Sequence, residues 1–124
     1  MRIINLTKYK ATPEQLAMGV EDLPEKLFGR IGYCLTIKAI PDKQELSDRA
    51  LAIADIATQV SGGKPVTAMI GGPPYLMVPL QIALERLAIS PVYAFTKKEN
   101  VTEKVNGVTR TRDVFKHVGF VPAY

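Results

Sequence analysis

Four polar side chains crowd the start of this 124-residue chain: Asn5, Thr7, Lys8 and Lys10 bring an amide, a hydroxyl and two ammonium groups within six positions. An amide edge can read adenine, while hydroxyl and ammonium groups suit phosphate oxygens. An amide inside an otherwise apolar strand needs a partner, so Asn5 serves either a ligand or neighbouring backbone. A second candidate is Gly71-Gly72-Pro73-Pro74. Before a helix, free N–H groups and the positive helix end favour a phosphate, although the two prolines remove two donors. The same glycines also fit a plain tight turn with positive φ. A third is Thr96-Lys97-Lys98, read as a loop after a strand. By period-two counting Arg110, Arg112 and Lys116 share one strand face, and Glu103 opposite Arg110 is expected to neutralise it. His117, the one histidine, could act as acid or base near neutral pH, or be structural beside Val118. Tyr9 and Tyr75 could stack on bases or cover a core edge, and Cys34, with no evident base, reads as packing.

The elements that must position these groups follow from pattern. Arg2 to Thr7 reads as a buried strand, followed by a helix with Thr12 as cap, Pro13 in its first turn and Gln15 completing a capping box, stopping near Gly19. Residues 20 to 41 are broken by Pro24, Gly29, Gly32 and Pro41, with Tyr33 to Ile37 as a possible strand. Asp42 and Glu45 repeat the capping pattern ahead of a helix whose stripe is Leu46, Ala50, Ile53, Ala57 and Val60, ended by Ser61-Gly62-Gly63. Val66 to Ile70 is a buried strand. The next helix runs to about Leu87, with Pro79 bending it or marking its first turn. Val92 to Phe95 forms another strand. Val101 to Val105 and Val108 to Val114 flank Asn106-Gly107, a strong hairpin signal that pairs Glu103 with Arg110 and Thr102 with Thr111. The order implies an α/β, Rossmann-like, mostly parallel sheet with flanking helices and a C-terminal β-hairpin, over a single domain spanning residues 1–124. Ligands of such sheets sit beyond the carboxyl ends of the strands, where the three candidate segments converge.

Composition bounds the chemistry. Hydrophobic residues are 47% and charged residues 23%, an ordinary globular balance that disfavours disorder. One cysteine and one histidine leave no internal disulfide and no Cys/His zinc site, so no metal or cofactor is expected. Neither GxGxxG nor GxxxxGK[ST] occurs, which argues against dinucleotide cofactors and P-loop hydrolysis. No membrane-spanning run or signal peptide is evident, and a cytoplasmic location is expected. The +4 charge permits an anionic ligand. The segment Tyr75 to Leu84 is apolar nearly all round, and a second subunit is the expected cover, making a homodimer.

Ile4-Asn5-Leu6-Thr7 with Ala11-Thr12-Pro13-Glu14-Gln15-Leu16, Ala68-Met69-Ile70-Gly71-Gly72-Pro73, Tyr93-Ala94-Phe95-Thr96 and Phe115 to Val121 resemble a known group. It is the small ring nucleases and cyclic-oligoadenylate-handling proteins of type III CRISPR systems, with a reduced CARF-like fold. The likeness spans most of the chain in element order. It implies a symmetric dimer holding a ring of 3′–5′-linked adenylates, with cyclic tetra-adenylate favoured, across its two-fold axis. Neither a membrane nor a stable DNA partner is implied. Cleavage in such proteins typically needs no metal: a ribose 2′-OH attacks the adjacent phosphate and leaves a 2′,3′-cyclic phosphate, switching off antiviral signalling. Carried onto this chain, Asn5, Thr7 and Lys8 line the first site, Gly71 and Gly72 approach a phosphate, and Thr96 and Lys97 complete the pocket. Arg110 and Arg112 are further ligand contacts, and Lys8, Thr7 and His117 are the candidates for the chemistry itself. Two alternatives stay open: a protein that captures the ring without cutting it, and a protein-interaction module.

Overall fold

A computed structural model describes residues 2–123 as a mixed α/β chain built on a five-stranded, mostly parallel sheet. The elements are β1 (Ile3–Asn5), α1 (Pro13–Ala17), β2 (Val20–Glu21), α2 (Glu25–Leu35), α3 (Lys43–Ser61), β3 (Val66–Ile70), α4 (Pro74–Glu85), β4 (Ile89–Val105) and β5 (Val108–Pro122). Strand order is β2-β1-β3-β4-β5, with only the β4–β5 pair antiparallel. Alternation along the strands sorts two apolar layers. Ile4, Leu6, Ala68 and Ile70 join the main core with α2, α3 and α4. Ile3, Val20 and Met69 form a smaller cluster, with Val92 and Phe120 packed against it.

The caps read from sequence form. Gln15 N donates to Thr12 Oγ1 at 3.2 Å and Thr12 N donates to Gln15 Oε1 at 3.0 Å, closing the box on α1. Glu45 N donates to Asp42 Oδ1 at 2.8 Å, and Gly62 at φ 67° ends α3.

Two expectations need correction. Tyr33 to Ile37 is not a strand; Tyr33, Cys34 and Leu35 form the last turn of α2. Ile31, Cys34 and Leu35 are buried, with Leu27 and Phe28 packed beside them, which is helical spacing. Gly29 and Gly32 obscured it: each costs the helix about 1 kcal/mol against Ala, which the buried stripe outweighs. Tertiary contact supplies the stop: Arg49 Nη1 on α3 donates to the Tyr33 and Cys34 carbonyls at 2.8 and 3.1 Å, taking carbonyls at the helix end.

The second correction concerns Thr96-Lys97-Lys98. These residues are not a loop but the middle of one 17-residue strand that runs without a break to Val105. β4 leaves β3 after the Ile70–Tyr93 pair and continues beside β5 alone. A β-bulge at Phe95/Thr96 marks the departure, with Val118 the extra residue on β5. Asn106 (φ 53°) and Gly107 (φ 78°) make the turn, both left-handed as a two-residue hairpin of this twist demands. The ten residues from Thr96 to Val105 form an arm about 30 Å long beyond the sheet.

Candidate functional site

Strand order reverses between β1 and β3: from β1 the chain goes to β2 on one side and to β3 on the other. In open sheets the crevice at the carboxyl ends of such a pair is the natural ligand position. A hollow of about 620 Å³ lies there, lined by Thr7, Lys8 and Lys10 after β1, Gly71 and Gly72 after β3, and Tyr93 on β4. Thr12, Gln15, Met69 and Ala94 complete one side, and Leu35 of α2 contributes on the other. Both charged residues of the lining are lysines, so the hollow favours an anion.

Asn5 organises this mouth from below. It is buried, its Nδ2 donates to Tyr9 O at 2.8 Å and to Asp22 Oδ1 at 2.9 Å, and its Oδ1 accepts from Thr7 N at 2.9 Å. Thr7 Oγ1 donates to the same Oδ1 at 2.7 Å. Asp22 Oδ1 also accepts from Ala11 N at 2.9 Å, tying the segment that leads into α1 to the end of β2. The Asn5 amide is therefore spent on the protein, and its role here is to hold the 7–11 loop. Asp22 carried no sequence signal: a lone aspartate after a two-residue strand becomes informative only when the fold places it beside Asn5.

The lysines are held differently. Lys8 Nζ lies 5.6 Å from the centre of the Tyr9 ring, and Lys10 Nζ lies 4.2 Å from that of Phe28. Lys10 is also 3.8 Å from Glu25, an exposed pair that weakens its charge only in part. Of the glycines in the turn, Gly72 has the positive φ, 156°, and a Cβ there would stand 3.0 Å from Leu35 and 3.4 Å from Met77. A Cβ at Gly71 would make only ordinary contact with Thr7. The α4 helix opens on Pro73 and Pro74 with no side-chain cap and runs through Pro79 without ending.

The remaining candidates separate from the hollow. Thr96 pairs with His117 and Lys97 with Lys116, at the root of the arm. His117 is buried, its ring 4.8 Å from Phe120, and neither ring nitrogen meets a hydrogen-bond partner among the described residues; it does not line the hollow. Register pairs Glu103 with Arg110 as expected, but the ion pair goes to the diagonal Arg112, at 3.2 Å. Cys34 is buried and desolvation pushes its thiol up, against the pull of Arg49 and Arg30, which keeps it a packing group. Among the described residues no cluster of three or more His, Cys, Asp or Glu side chains could hold a metal, and no helix is long and apolar enough to cross a membrane.

A family model covers residues 1–121, nearly the whole chain. The chain belongs to the uncharacterized protein MJ1673 family. No curated protein and no solved structure matches it. For this family member, then, the reading of function rests on the hollow, its two lysines and the loop that Asn5 and Asp22 hold.

Proposed function

We propose that this protein binds a cyclic oligoadenylate in the hollow between β1 and β3, and opens the ring by internal attack. The sheet would then be a reduced CARF-like, Rossmann-type domain. One observation carries the reading: a hollow at the strand-order reversal whose charged lining is Lys8 and Lys10. At about 620 Å³ it has the size of a site for one small ligand, so a ring of several nucleotides needs a second, symmetric half. The uncovered stripe of Tyr75, Val78 and Ile82 on α4, beside Leu51 of α3, is the surface proposed to supply that dimer.

In the reaction a ribose 2′-oxygen forms a bond to the adjacent phosphorus, the bond to the 5′-oxygen breaks, and the proton lost from the 2′-OH is matched by one taken up at the 5′-oxygen. The protein would hold the attacking oxygen in line and stabilise charge on the phosphorane with its ammonium groups. Lys8 is the group proposed to meet that charge.

A second reading, capture without cleavage, is favoured by a specific observation. The Thr7 hydroxyl is occupied by Asn5, and the imidazole of His117 is outside the hollow. Incubating the protein with cyclic tri-, tetra- and hexa-adenylate in EDTA and resolving the products by chromatography separates the two. Products ending in 2′,3′-cyclic phosphate are expected. Intact rings retained by the protein would establish capture instead, and no binding of any ring would end both. Lys8→Ala should weaken ring binding about tenfold, as loss of one charge-assisted phosphate contact does.

A further inference from the structure

The arm begins at the wall of the hollow, and its surface next to that wall is unlike a solvated hairpin. Tyr93 lines the hollow, and Gln81 Nε2 of α4 donates to its hydroxyl at 2.7 Å, which fixes the odd-numbered positions of β4 as the helix side of the sheet. Outward along that side the register reads Tyr93 with Val121, Phe95 with Gly119, then Lys97 with Lys116. The bulge falls on Val118 and leaves Lys116 on the same side as Lys97.

Two features of this series lack a structural reason. Like charges directly opposite one another in an antiparallel pair are destabilising, and neither Lys97 nor Lys116 has an ion-pair partner among the described residues. Their neighbours Lys98 and Arg112 do have one, with Asp113 and Glu103. Phe95, opposite a glycine and 52% exposed, offers an open aromatic surface between the hollow and the lysines.

We propose that this face is a short single-stranded oligonucleotide track continuous with the hollow, in which Phe95 stacks a base and the Lys97–Lys116 pair seats the next phosphate. The inference rests on the adenylate reading above and narrows its ligand. Tyr93 and Lys97 are four residues apart, about 13 Å along an extended strand. A mononucleotide held in the hollow cannot reach the lysines, whereas an oligoadenylate with two or more phosphates can. Glu99 is the next residue outward on this side, opposite Val114, and its carboxylate ends the track after one phosphate. The gain comes from an aromatic platform and a backbone contact, the usual elements of single-strand binding, so it does not depend on the ring being closed.

The test measures binding of AMP, linear tri-adenylate and cyclic tetra-adenylate by fluorescence competition across a salt series. The proteins are wild type, Lys97→Ala/Lys116→Ala and Phe95→Leu, all changed at exposed positions. Wild type should bind linear tri-adenylate at least tenfold more tightly than AMP. The double variant should lose that advantage, keep its AMP affinity, and show a slope of log K against log salt reduced by about 0.7, the value for one single-strand phosphate contact. Phe95→Leu should weaken tri-adenylate several-fold at unchanged salt slope. A double variant that binds tri-adenylate as wild type does would overturn the track while leaving the hollow as the binding site. A double variant weakened equally toward AMP would also overturn it, because the lysines would then belong to the hollow. Wild type binding none of the three would overturn the adenylate reading itself.

Discussion

Asn5 shows how much of the mouth of the hollow can depend on a group that does not line it. Its four hydrogen bonds link β1, the 7–11 loop and Asp22. Replacing it removes the acceptor of Thr7 N and Thr7 Oγ1 and a donor to half-buried Asp22, and each such hydrogen bond contributes about 0.5–1.5 kcal/mol. Asn5→Ala should therefore lower stability by about 2 kcal/mol in urea unfolding. Asp22→Asn should cost less, because an amide oxygen can still accept from Ala11 N, although less strongly than a carboxylate. Equal, negligible effects of both would mean the network does not hold the loop. Cys34 gives a pH-dependent expectation. Its folded thiol has the higher pKa, so the unfolded chain gives up this proton first and stability falls as pH rises above the ordinary thiol value. A thiol reagent at pH 7.5 should label Cys34 only at the rate of unfolding; fast labelling of the native protein would contradict its packing role.

At the scale of elements, the β3–α4 turn is the constrained one. The Leu35 and Met77 side chains close over Gly72, so Gly72→Val has to displace both at a left-handed backbone position, costing about 2 kcal/mol or more. Gly71→Ala meets only Thr7 at contact distance and should be nearly neutral when the two variants are compared by thermal melting. A reversed ranking would show that the turn is not held as described. The legibility of elements divides along the same physical line. The capping box at Thr12, the Asp42 cap and the Asn106-Gly107 turn are local, made by residues three or fewer apart, and the sequence announces them, although the Glu45 carboxylate goes to Arg49 and does not close a box on Asp42. The end of α2 is set by Arg49, far along the chain, and the length of β4 by β5, so neither could be read from its own segment. Lys97-Lys98-Glu99 looks like a loop because a ribbon exposed on both faces has no apolar alternation to display.

At the scale of the whole molecule, the α3–α4 face carries an apolar surface without cover among the described residues. Tyr75, Val78 and Ile82 on α4 are 52%, 61% and 46% exposed, and Leu51 across the α3–α4 groove is 56% exposed. Under the proposed dimer, Val78→Glu places a charge in the seam and should turn a dimer into a monomer in sedimentation velocity. It should also weaken ring binding far more than AMP binding, since only the ring needs both halves. A wild-type protein that is monomeric at all concentrations would remove this seam from the proposal.

By itself the sequence determined the local grammar of this protein: caps, the hairpin register, the apolar strands, a mixed α/β order, and the polar segments after β1 and β3. Those features depend on neighbours a few residues away, and the side-chain types state them directly. Only the tertiary structure decided which polar groups meet. It put Asn5 beneath the loop instead of in the hollow, brought Asp22 to it, buried His117 elsewhere, and set Lys97 against Lys116 on an arm that leaves the sheet. Strand pairing and register join residues distant in the chain, and a one-residue bulge changes which of them share a face. The small, basic chain with few thiol or imidazole groups thus becomes a hollow with two lysines and, beside it, an arm on which Lys97 stands opposite Lys116.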